Sequence, residues 1–347
     1  MNDLYLIGNG FDLAHGLKTS YNDFLLWYLN ESIEFTNSNH YFKDSLIEID
    51  GNASWLMRGD YSSIRNILGN FSNSNIRIQY KHVFFKKIVE NYRDYRWVDI
   101  EYEYYMALID LYKRLEKAGV SRHAQIDKEL DDLNSCFHSI KIKLEEYLTD
   151  TERAFRKKKL NSINNILLDG IGENQKLVLY FNYTSTIKAY VSNHRFKNDD
   201  LIYIHGKLDD PQNPIIFGYG DEIDAYYEKI ENLNNNEFFR NIKSFGYFKT
   251  ENYQRVIRFV DSGKFMVRIL GHSCGLSDRI LLNTIFEHKN CEKIKIYYYQ
   301  KSKTENDYFE KTQEISRHFN ALGKSKMRKT IAPFSESVPL VPFDEIN

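Results

Sequence analysis

Four short motifs in this 347-residue chain put glycine, asparagine, histidine or serine where an apolar run stops. Gly8-Asn9-Gly10-Phe11-Asp12 follows the strand-like run Leu4-Tyr5-Leu6-Ile7, and glycines at a strand end let backbone approach a phosphate or a ribose. A dinucleotide fingerprint would need a third glycine where Leu13 stands, and an acid closing a second strand about 20 residues on. Glu31 and Glu34 fall near that distance but follow no strand. The loop reads as nucleotide-type, with a tight turn that holds no ligand as the plain alternative. Asp12 is then either a turn residue or a carboxylate beside the ligand.

Phe181-Asn182-Tyr183-Thr184 ends the run 176–181, and Asn182 offers a donor and an acceptor to a ribose hydroxyl, a carboxamide or an attacking water. An asparagine there is equally a helix cap. Ile204-His205-Gly206 ends the run 201–204; its histidine titrates near neutrality and suits a general base, or is a satisfied structural residue. Gly271-His272-Ser273-Cys274-Gly275 matches the Gly-x-Ser-x-Gly elbow of serine hydrolases. An elbow needs an acid and a histidine further on, and only His288 and His318 follow. The same residues serve as a second glycine-rich loop, with Ser273 bonding a phosphate. In Trp97-Val98-Asp99-Ile100-Glu101 the two acids point to different faces of a helix and are not a paired-carboxylate site; Asp99 reads as a solvated or capping acid, and Glu101 either as the same or as a group able to reach the ligand.

These motifs need a scaffold that brings them together. Leu4–Ile7 and the runs 176–181, 201–204, 214–217, 264–270 and 293–299 read as strands, several of them continuous apolar runs of the buried parallel kind. Helices are expected over 235–261, 276–287 and 304–321. The capping box Ser20-Tyr21-Asn22-Asp23 starts a helix over 21–30, after an ordered loop or turn from Leu13 to Thr19. Residues 31–78 are polar and read as loops and short helices. From 80 to 168 the chain reads as helical. Ile126, Leu130, Leu133, Phe137, Ile140, Leu144 and Tyr147 form a heptad seam, which fits an antiparallel hairpin or bundle, with an intermolecular coiled coil as the alternative. The expected fold is α/β: a Rossmann-like, mostly parallel sheet with a large helical insertion after the first βα unit. Residues 1–30 and 171–325 would form the α/β domain, 31–170 a mainly helical domain, and 326–347 a loose tail.

Lysine and arginine number 47 against 48 acids, so a globally basic nucleic-acid binder is not indicated. Three scattered cysteines, Cys136, Cys274 and Cys291, make neither a disulfide framework nor a four-cysteine zinc site. No secretion signal or spanning segment is evident, so a cytoplasmic protein without membrane contact or metal is expected. The 26 tyrosines and 23 phenylalanines read mainly as core and half-buried surface rather than as base-stacking platforms.

Gly-Asn-Gly-Phe-Asp-Leu-Ala-His-Gly with Thr-Ser-Tyr-x-Asp-Phe, then Phe-Asn-Tyr-Thr, Ile-His-Gly and Gly-His-Ser-x-Gly-x-x-Asp, resembles the AbiH family of bacteriophage abortive infection. The same order is similar to sirtuin-like NAD-binding domains. That resemblance implies NAD as ligand or substrate, bound by Gly8, Gly10, Gly271 and Ser273; Asn9, Phe11, Tyr183 and Glu101, from the same motifs and the 97–101 segment, complete the expected binding set. Asn182 would hold the nicotinamide ribose and a water, His205 would be the base, and Asp12 would offer a carboxylate near the ribose. Sirtuin deacylases carry a four-cysteine zinc module that three cysteines cannot build, and Asn9 replaces the small residue usual in their glycine loop. NAD hydrolysis remains the implied activity. A Ser273 hydrolase and a non-catalytic nucleotide-sensing module are the alternatives, and a phage-derived trigger and a homo-oligomer stay open as partners.

Overall fold

A computed structural model describes residues 1–51, 68, 76–117, 123–155, 159–168, 174–191, 197–220 and 222–346. Two compact units share the chain. One comprises Met1–Lys18, Thr151–Asp224 and Ile242–Asn347, the other Thr19–Asp150 and Ala225–Asn241. The first crossing falls at Lys18, ahead of the expected residue 30, and a short excursion at 225–241 belongs to the second unit. Among the described residues the strands are β1 (Asn2–Ile7), β2 (Tyr41–Lys43), β3 (Ile47–Gly51), β4 (Ile76–Tyr80), β5 (Lys176–Tyr180), β6 (Leu201–Tyr203), β7 (Phe265–Leu270), β8 (Cys291–Tyr298) and β9 (Val338–Pro339).

The first unit is built on a six-stranded parallel sheet in the order β6-β5-β1-β7-β8-β9. Strand side chains alternate between two apolar faces. Leu4, Leu6, Leu179, Ile269 and Ile296 pack with Val256, Leu281, Ile285 and Ile315 from the helices Asn252–Asp261, Arg279–Phe286 and Tyr308–Ser316. Tyr5, Ile7, Tyr180 and Leu270 pack with Phe11 from helix Asn9–Ala14 and with Ile163 and Leu167 from helix Asn161–Leu168. Covering both faces of the sheet centre removes its strands from water, which is why Leu4–Ile7 and Leu177–Tyr180 are unbroken apolar runs. Each fully buried leucine or isoleucine contributes about 1.5–3 kcal/mol. A buried charge pair between β1 and β7 is satisfied in place: Arg268 Nε donates to Asp3 Oδ1 at 2.8 Å and its Nη1 to the Tyr297 hydroxyl at 2.7 Å.

Several expectations are corrected here. A helix starts at Asn9, directly after Gly8, where a loop was expected. The stretch 214–217 is not a strand. Pro214 has no N–H to give a ladder, and Ile216 N bonds to His205 O at 2.7 Å. The expected helix 235–261 is broken into Asn236–Phe239, Lys243–Gly246, Tyr247–Lys249 and Asn252–Asp261, with Asn234 at φ 52° before it. The expected loose tail contains helix Lys324–Thr330 and β9, the edge strand beside β8, where a proline is tolerated. Leu340 and Val341 then enter the core.

In the second unit, Ser20 and Asp23 close a reciprocal capping box, with Asp23 N on Ser20 Oγ at 3.1 Å and Ser20 N on Asp23 Oδ2 at 3.2 Å. The helix it starts runs to Asn39, beyond the expected 30, and ends at His40 in the left-handed region. β2, β3 and β4 make a small antiparallel sheet within a stretch expected as loops and short helices. Residues 52–67 and 69–75 of that stretch lie outside the described residues. The whole heptad seam is buried along helix His123–Ala154, most of which lies in this unit. Phe137 stacks on Tyr104 of helix Ile100–Lys117 with ring centroids 4.1 Å apart, so the seam faces helices of its own chain. Among the described residues no helix is long and apolar enough to cross a membrane.

Candidate functional site

Because the sheet is parallel, the segments after β1, β5, β6 and β7 emerge at one edge, and they carry the four motifs. Strand order runs outward from β1 through β5 to β6, and in the other direction through β7 to β8. The carboxyl ends at such a reversal are where open α/β sheets bind ligands.

The glycines let two of these segments touch backbone to backbone. A Cβ on Gly8 would stand 2.6 Å from His272 Cα, and one on Gly10 2.8 Å from Gly271 O. Gly271 has φ +67°, and a Cβ there would stand 2.3 Å from Phe11 N. Gly10 N donates to Gly271 O at 2.8 Å across the same contact. Phe11 is core, edge-on to Tyr180. Asn9 is half-buried.

Each residue of Phe181-Asn182-Tyr183-Thr184 ties one segment to another. Phe181 packs edge-on to the His205 and His272 rings. Asn182 Nδ2 donates to Gly8 O at 3.1 Å, and the Tyr183 hydroxyl to Ile216 O at 3.2 Å. Thr184 Oγ1 and the Tyr180 hydroxyl donate to Asp12 at 2.6 and 2.9 Å. Asp12 is fully buried. Burial raises its pKa, against the hydroxyls of Thr184, Tyr180 and Thr186 and the Asn182 amide.

The second polar cluster centres on Asp278, at the start of helix Arg279–Phe286. Its Oδ1 lies 2.9 Å from Lys243 Nζ and 3.1 Å from His205 Nε2, and its Oδ2 3.5 Å from His272 Nε2. All four residues are buried. Burial opposes the charge on Asp278, but Lys243 and then His205 outweigh it and hold the carboxyl well below the usual range. Burial, then Lys243, pushes His205 below its ordinary value, so its ring is neutral. A neutral ring beside an ionised carboxylate carries its proton on Nε2 and donates it to Asp278. Nδ1 is left as the basic nitrogen, with no hydrogen bond to any of the described residues. Tyr247 lies parallel to the His205 ring at 6.3 Å. His272 Nδ1 accepts from Cys274 N at 2.9 Å, so its proton too sits on Nε2, facing Asp278.

The family model for bacteriophage abortive infection AbiH matches residues 4–300, a span that holds all four motifs and both polar clusters. The chain belongs to the AbiH family. No curated protein matches it.

Within this AbiH chain the elbow motif does not assemble a serine triad. Ser273 is exposed and its Oγ accepts from Gly275 N at 3.3 Å. The strained residue of the turn is Cys274, at φ 56°, with its thiol in the core and pushed up to about 12 by burial. His318 Nε2 bonds to Cys274 O at 2.7 Å and His288 Nε2 faces Asp261 at 3.2 Å, so neither reaches the serine. Glu101 is buried on a helix of the second unit, and Asp99 caps that helix through Tyr102 N at 3.0 Å. No metal-ligand cluster of three or more histidine, cysteine, aspartate or glutamate side chains is found among the described residues. Sequence reasoning assigned no role to Asp278, although the Gly-His-Ser-x-Gly-x-x-Asp motif ends on it. Lys243 carries no motif, and its carboxylate partner is 35 residues away.

Proposed function

We propose that this AbiH protein acts in phage abortive infection by binding NAD at the carboxyl edge of its parallel sheet and hydrolysing the nicotinamide–ribose bond. The strand reversal between β1 and β7 supports a Rossmann-like reading of the first unit, with the second unit as an insertion after the first βα segment. The observation that carries the activity is His205, donating through Nε2 to Asp278 and keeping Nδ1 as base. In the reaction, water attacks the anomeric carbon as the bond to nicotinamide breaks. The bond's electron pair leaves with nicotinamide, and the water proton passes to His205 Nδ1 and then to solvent. Asn182 orients the ribose or the water. Asp12, buried beneath, fixes Thr184 and the segment that carries Asn182. Because His205 and Asn182 are both buried, NAD reaches them only once the segments around them open, and a phage-derived trigger is the event assigned to that opening.

The test follows NAD, nicotinamide and ADP-ribose with purified protein, and NAD in phage-challenged cells. Loss of a general base costs about 10²–10⁴-fold, so His205→Ala should abolish detectable turnover while keeping the fold, and Asn182→Ala should lose most of it. If protection persisted in the His205→Ala strain with NAD unchanged in mutant and wild type alike, hydrolysis would be the wrong mechanism.

A further inference from the structure

We propose that Lys243 is a positioning residue for His205: its ammonium binds the same Asp278 oxygen that receives His205, fixing the carboxylate and through it the ring. This rests on the reading of His205 as the base. Lys243 Nζ lies 2.9 Å and His205 Nε2 3.1 Å from Asp278 Oδ1. A carboxylate held by a single neutral histidine could rotate or take up a proton. One also bound by a buried ammonium is pinned in orientation and charge. His272 occupies the other oxygen, so rotation would break bonds on both sides.

A lysine is a costly residue to bury, and Lys243 is only 2% exposed. Packing alone would be served as well by an apolar side chain of similar length. Its backbone N bonds to Tyr219 O at 3.0 Å, so the short helix Lys243–Gly246 is anchored where the side chain leaves it. The groups that face His205 are Asp278 and His272 from the segment after β7, and Lys243 and Tyr247 from 243–247. With Lys243 in place a second positive charge on His205 is disfavoured. Without it, Asp278 would draw a proton onto the ring and remove the base.

The experiment uses the full chain with ¹⁵N-labelled histidine, the His205 signals being assigned by loss in His205→Gln. At neutral pH the wild type should show Nε2 protonated and Nδ1 bare. In Lys243→Met, proton affinity at His205 should rise by about tenfold or more, the size of a nearby-charge effect. Should Lys243→Met fail to fold, Lys243→Gln keeps a donor to Asp278 without the charge and should show the same rise. Lys243→Arg restores the cation and should restore the wild-type ring state. With NAD, kcat in the Gln variant should fall by about 10–100-fold, the scale for residues that orient a working histidine in metal sites, with KM unchanged. An unchanged His205 ring state and titration in folded Gln or Met variants would overturn the proposal. A wild type that leaves NAD intact in phage-challenged cells as well as in the purified state, with the ring states as expected, would overturn the hydrolase reading and leave the assignment of Lys243 standing.

Discussion

His318 shows what one buried ring does to stability. Its Nε2 donates to Cys274 O, while Nδ1 is buried without a partner in the described residues. Burial above all lowers its pKa from 6.5 to about 4. The unfolded chain therefore takes up a proton at a pH where the folded one refuses it. Its contribution is fully present above pH 6.5 and is lost as pH falls through about 4, amounting to about 3 kcal/mol over that window. His205 is shifted in the same direction. His318→Gln keeps a donor and removes the titration. Urea midpoints measured from pH 7 to pH 4 should therefore fall less in the variant, and parallel losses would refute the assignment. At this scale the sequence was partly legible. Asn182, His205 and the glycines announce themselves by ending apolar runs, but the reason for the glycines was not legible. Contact between the turns at Gly8–His272 and Gly10–Gly271 joins residues more than 260 positions apart. Lys243 was invisible because a single lysine has no periodicity.

At the scale of elements, legibility followed repetition. The seam from Ile126 to Tyr147 repeats its step often enough to fix a helix, and the structure buries every member. β3 and β4 alternate apolar and polar residues for only five positions each, too few to stand out from a polar stretch. β9 was obscured by Pro339, yet it caps the sheet: Tyr297 pairs with Val338 and Tyr298 with Pro339. Removing residues 332–347 would uncover the β8 edge and the seats of Leu340 and Val341. An unpaired edge is a template for another chain. The truncated protein should associate in light scattering and melt several degrees lower; a monomer with an unchanged melting temperature would show that β9 is dispensable.

At the scale of the whole molecule, the unit that carries the site is assembled from three separate stretches of chain. β1 sits between β5 and β7, so a fragment spanning 151–347 lacks the strand that joins its two halves. That fragment should be unfolded by amide dispersion, and a mixed-in peptide of residues 1–18 should bind it only weakly if at all. A dispersed spectrum from the fragment alone would mean that β5 and β7 can close on each other. The expected boundary at residue 30 missed the crossing at Lys18 because the capped helix that follows belongs to the other unit, which no local signal states.

The central position of β1 also sets a timetable for the ribosome. Residues 2–7 are made more than 250 residues before their partner Phe265–Leu270. At about 5–20 residues per second this is a wait of roughly 13–50 s, during which the strand has no neighbour on that side. Asp278, which orients His205, is made later still. A nascent chain, or one cut short before that point, therefore cannot carry the assembled site. Whatever this cluster does in phage abortive infection is therefore withheld until Asp278 has been made, and translation that stops before that residue yields only chains without it.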